Sequence, residues 1–167
     1  HSVTWKEPMP LELDNWSLLI HSMHGDRTLA QATGSIVVNW PEIFLITNRH
    51  VVTGLHQDTK HALNAEGIVP DRIMLRLHSM NEGEWVEQEL GLYDDKKPRW
   101  QEHPRYGALF DVVAIPFVPG GASFHVYYNT VDALNDASLP VEVTETVTVI
   151  GFPFGQQAGR GRAIWCT

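Results

Sequence analysis

The stretch "LITNRHVV" sets His50 directly behind a run of apolar and β-branched residues, where a strand would end and a side chain could face a cleft. An imidazole in such a place can serve as a general base. It needs a carboxylate to accept the N–H of one ring nitrogen, which fixes the tautomer and leaves the other nitrogen free. Asp111 is the best candidate for that carboxylate. It opens the apolar run "DVVAIPF", where a charge is costly unless paired, and it lies about three strands further along the chain.

Other chemistry-bearing residues carry weaker signals. His21 and His24 in "HSMHG", and His56 and His61 after His50, raise the question of a metal. A structural zinc site usually takes four ligands including cysteine, and a catalytic one takes three with an open position. Histidines three apart on a strand point to opposite faces, so these residues are expected to be exposed histidines and no metal is expected. "GFPFGQQAGRGR" is rich in glycine at Gly151, Gly155, Gly159 and Gly161, but it lacks the lysine and hydroxyl residue of a phosphate loop. No helix is expected to follow it, so it reads as a hairpin loop with no cofactor. Cys166 sits in the strand-like "AIWCT" without a glycine-bounded turn to expose it, and is expected to be a small buried residue. Trp40, Trp85, Trp100 and Trp165 are expected to pack in the core or at barrel ends.

Composition narrows the function classes. The chain has 167 residues and a formal net charge of -8, which offers no broad basic face to displace counterions from nucleic acid. No nucleic-acid partner is expected. Its single cysteine excludes a disulfide within the chain, and no apolar run approaches the roughly 20 residues of a membrane span. No membrane partner is expected either, and the chain reads as soluble. A cytoplasmic location is favoured, with a processed periplasmic or secreted form as the other option.

The elements that would position His50 and Asp111 are strands. Helical periodicity is scarce, and short runs of Val, Ile, Leu and aromatics recur between turn signals, which is the pattern of an all-β protein. Strands are expected over residues 16–23, 28–38, 42–47, 72–79, 84–93 and 111–117. "VNWPE" predicts a hairpin turn between the second and third. In "DRIMLRLHS", Ile73, Leu75 and Leu77 should face a core, with Met74, Arg76 and His78 on the other side. Six such strands can close a small antiparallel barrel filled by side chains. The organisation expected is an N-terminal extension at residues 1–15, a barrel at 16–117, a connection at 118–140 holding "FHVYY" as a lone strand, and a new β unit at 141–167. That unit opens on "VEVTETVTVI", with Val141, Val143, Val147 and Val149 on one parity.

"ATGSIVVNWPEIFLITNRHVV" resembles the histidine segment of trypsin-like, chymotrypsin-fold serine peptidases. "WQEHPRYGALFDVVAIPF" resembles their aspartate segment, and "VTVIGFPFG" the first strand of their second barrel. Together these segments cover the chain from about residue 16 onward in the family's order. Val51 stands where digestive members carry cysteine, which is closer to disulfide-free bacterial members. The resemblance implies that His50 is the general base of a His-Asp-Ser triad and Asp111 its orienting carboxylate. The sequence departs from the family at Val113, where a small residue is usual, with Ala114 one position later. It also lacks a Gly-x-Ser-Gly segment, since Ser35 lies in the first barrel and Ser123 in the connection. No nucleophile is therefore expected in this chain.

Two functions of different class follow. One is a serine endopeptidase acting on peptide or protein substrates, of which this chain holds the first barrel and the start of a second. Its partner would be the missing C-terminal barrel, and this portion alone would be inactive. The other is a non-catalytic, peptidase-like binding or scaffold module with an open strand edge near residues 141–150, which would also permit self-association. A cysteine nucleophile in place of serine is a variant of the first.

Overall fold

The alternation in "DRIMLRLHS" becomes a strand whose Ile73, Leu75 and Leu77 are fully buried, while Met74, Arg76 and His78 are half-buried on the other face. That second face is therefore partly covered rather than open to water. The structure is a computed structural model and describes residues 3–6, 15–81, 84–120, 124–136, 146–159 and 162–166.

In chain order the elements are β1 (Val3–Lys6), β2 (Leu18–His24), β3 (Arg27–Asn39), β4 (Glu42–Thr47), α1 (Arg49–Thr53), β5 (Arg72–Ser79), β6 (Trp85–Gly91), β7 (Tyr93–Asp94), β8 (Lys97–Pro98), β9 (Gln101–Glu102), β10 (Val113–Pro116), β11 (Phe124–Thr130), α2 (Val131–Asp136), β12 (Val149–Gly151) and β13 (Ile164–Cys166). The fold is mostly β.

Each of the six expected strands is present, within a residue or two at most ends, and they lie side by side in the order β6-β5-β2-β3-β4-β10. The expected closure of these six into one barrel is not what the backbone ladders make. Among the described residues no ladder joins β6 to β10. Instead the Gln88 side chain on β6 donates to Val118 O at 2.8 Å, just beyond β10. The ring that closes has four strands, β11-β5-β2-β3, with β11 antiparallel to β5 and parallel to β3.

This corrects the reading of "FHVYY" as a lone strand in a connection. Phe124 and Val126 are buried in the main core, so the segment belongs to the sheet that precedes it. A period-2 pattern identifies a strand but not its neighbours, which is why its glycine- and proline-rich flanks suggested isolation. The N-terminal extension likewise contributes β1, paired in parallel with β11.

The β3–β4 hairpin forms around Trp40 and Pro41 as expected. The glycine-rich loop after Phe152 joins β12 to β13 as an antiparallel hairpin. Val141 and Val143 lie outside the described residues, as does Ser123, while Val147 and Val149 are exposed. Cys166 is exposed, contrary to the expectation of a buried residue. Trp40 and Trp165, expected in the core or at barrel ends, are 58% and 52% exposed. Trp165 and Cys166 lie on a hairpin with a single ladder, and Trp40 sits in a turn, in a T-shaped contact with Tyr128. Trp85 and Trp100 are half-buried.

Candidate active site

β4 ends at Thr47, and the chain turns at Asn48 into the short helix α1, which carries His50. No helical period was legible here, because five residues are too few for one to be seen. Tertiary contacts hold the helix. Val51 and Val52 insert into the core, and buried Ser22 donates to Val51 O at 2.9 Å. Gly54 closes the helix in the left-handed conformation, with φ 67°. A Cβ there would come within 2.9 Å of Pro70 Cδ, so both backbone and space call for glycine.

Asp111 arrives from the opposite direction. β10 runs antiparallel to β4 with Val113 opposite Thr47, so two residues before Val113 the chain must lie beside residues 48–50. Asp111 precedes β10 rather than opening it, a shift of two residues from the expected start of that strand.

The structure brings His50 and Asp111 together, with Nδ1 facing Asp111 Oδ2 at 2.6 Å. The other carboxylate oxygen, Oδ1, accepts the His50 backbone N–H at 2.9 Å. An ionised carboxylate is acceptor-only, so Nδ1 carries the proton and the neutral ring keeps its lone pair on Nε2. Among the described residues Nε2 has no hydrogen-bond partner, and the imidazole is 38% exposed. A ring held this way can take a proton at Nε2 from a hydroxyl or thiol and share the resulting charge with the carboxylate.

Two neighbours of His50 that sequence reasoning passed over also reach toward the Asp111 segment. Asn48 Nδ2 donates to Asp111 O at 2.9 Å and lies 3.3 Å from Oδ2. Arg49 pairs through Nε with Glu102 Oε1 at 2.9 Å, and Glu102 lies on β9, opposite Val113 of β10. Both ties run from the β4–α1 turn to the Asp111 segment or the strand beside it. The only signal in the sequence was their place in "TNRH", before the histidine.

Beside His50 an open cavity of about 250 Å³ is lined by Ser22, Leu29, Gln31, Leu63 and Pro70 among others. Ser22 is no nucleophile for His50 here, being buried with its hydroxyl committed to Val51 O. Of the remaining histidine candidates, His21 Nε2 lies 3.4 Å from Nε2 of Gln31, which lines that cavity. His24 Nδ1 contacts Val69 O, and His56 Nδ1 accepts from the backbone of Asp58 and Thr59. Among the described residues no three His, Cys, Asp or Glu side chains converge on a metal-sized site. Among the described residues no helix is long and apolar enough to cross a membrane. Comparison of the chain with family models, curated proteins and solved structures returns no match.

Proposed function

We propose that this chain supplies the base and orienting carboxylate of a trypsin-like serine endopeptidase, with the sheet that contains β6-β5-β2-β3-β4-β10 standing where that family has its first barrel. The observation that carries this reading is the 2.6 Å contact between His50 Nδ1 and Asp111 Oδ2, with Nε2 lacking a hydrogen-bond partner among the described residues on a partly exposed ring.

In this reading the nucleophilic serine is not among the 167 residues of this chain. His50 Nε2 takes the serine proton as the oxygen attacks a peptide carbonyl. The imidazolium then gives that proton to the departing amine, and the acyl-enzyme remains. Water repeats the cycle, with His50 first as base and then as acid. Asp111 keeps its negative charge throughout and stabilises the imidazolium.

The test is to extend expression through the native reading frame beyond Thr167 and treat the product with a fluorophosphonate probe. Labelling of a downstream serine that disappears in His50→Ala supports the peptidase. A product that folds but takes no label, or labels equally without His50, replaces this reading with a non-catalytic peptidase-like module.

A further inference from the structure

Asn48 stands at the N-cap of α1, where an asparagine ordinarily turns its side-chain oxygen onto a backbone N–H of the first helical turn. Here it makes no side-chain cap. Its amide nitrogen is directed across to Asp111, donating to the main-chain carbonyl at 2.9 Å and lying 3.3 Å from carboxylate oxygen Oδ2. Oδ2 is also the atom that faces His50 Nδ1. With the His50 backbone N–H on Oδ1, both carboxylate oxygens and the carbonyl of Asp111 are engaged by a single turn of chain, residues 48–50.

We propose that Asn48 is a positioning residue for the His50–Asp111 pair: its amide fixes the backbone of Asp111 and sets the rotation of the carboxylate that keeps the proton on His50 Nδ1. The contact at 2.9 Å holds the main chain, and the longer one at 3.3 Å biases Oδ2 toward the ring. A hydrogen bond from a neutral amide to an ionised carboxylate is stronger than one between neutral groups, which gives the asparagine a reason to forgo the cap. The inference rests on the catalytic reading for its biological meaning, but its physical content is the state of the imidazole and can be read without turnover.

The discriminating substitutions are Asn48→Ala and Asn48→Asp. Aspartate caps a helix about as well as asparagine, so a merely structural capping role predicts that Asn48→Asp behaves like the parent. A positioning role predicts the opposite. Aspartate places an acceptor where a donor is needed and repels Asp111, so it should disturb the pair more than alanine does.

The measurement is nitrogen-15 and proton NMR of the His50 ring in this chain. Backbone amide shifts of Leu45 and Val52 serve as the check that each variant folds. The parent is expected to show the Nδ1–H tautomer with a low-field Nδ1 proton. Asn48→Ala should lose part of that population, and Asn48→Asp should lose the low-field proton altogether while the core amides stay in place. If Asn48→Asp keeps the parental tautomer and proton, the positioning role is wrong and the pair stands without it. If the parent itself lacks the Nδ1–H tautomer, the His50–Asp111 reading falls and Asn48 falls with it. Should Asn48→Ala not fold, Asn48→Asp alone decides, because aspartate is itself a favourable residue at an N-cap position.

Discussion

The sheet around His50 rests on a cluster of seventeen buried apolar side chains, whereas the β12–β13 hairpin rests on Leu19, Phe152 and Ala163, with Ile150 alongside. The hairpin is tied to the sheet by hydrogen bonds at its base, from Ser17 Oγ to Ile150 O and from the Phe152 N–H to Thr33 Oγ1, both 2.8 Å. Phe154 in its loop is 96% exposed in a left-handed conformation, with φ 53°. An arrangement that must hold a proton between two particular atoms needs the first kind of support. Val51 and Val52 flank His50 from inside the core, and Val113 does the same for Asp111. Among the described residues the second region has few buried contacts, and it should open at lower free energy.

The largest effect is expected at the site itself. On the proposed peptidase reading, Asp111→Asn in the product of the extended reading frame is expected to slow fluorophosphonate labelling by about 10⁴-fold, because the wrong tautomer of His50 is then favoured. A loss below tenfold would mean the carboxylate does not orient the base. The next test removes core from the first region. Leu75→Ala empties a fully buried position and should cost about 2–5 kcal/mol in a single cooperative denaturant transition. A change under 1 kcal/mol would show that the barrel core is not the main support.

Phe152→Ala probes the second region, where the buried ring contributes about 2 kcal/mol. Hydrogen exchange should accelerate in β12 and β13 while Leu75 and Val52 stay protected. Equal acceleration in both regions would erase the distinction drawn here.

The smallest effect concerns His21 on β2. Burial pushes its imidazole below the ordinary value of 6.5, against Glu87, which raises it, and with help from Arg76. The unfolded chain therefore binds a proton more readily than the folded one between 6.5 and the lowered value, so stability rises with pH through that window and is lost on acidification. His21→Gln should flatten the slope, measured as denaturant midpoints on either side of 6.5. An unchanged slope would assign it to other groups.

Alternation and turn chemistry made most strands legible. Ile73, Leu75 and Leu77 declared the core face of β5, and "VNWPE" declared the β3–β4 turn, because side-chain parity and turn preferences are local properties. The candidacy of His50 and Asp111 was legible from residue type and flanking strands. Their contact was not, since it depends on Val113 standing opposite Thr47.

By itself the sequence determined a mostly β chain, a histidine at a strand end and a carboxylate that had to be paired. Only the tertiary structure decided that "FHVYY" closes a four-strand ring, that Trp165 and Cys166 face outward, and that Asn48 reaches Asp111 instead of capping its helix. The reason is physical. Periodicity reports which face of a strand is buried, whereas partner and register are fixed by long-range packing and by hydrogen bonds that compete for the same donors.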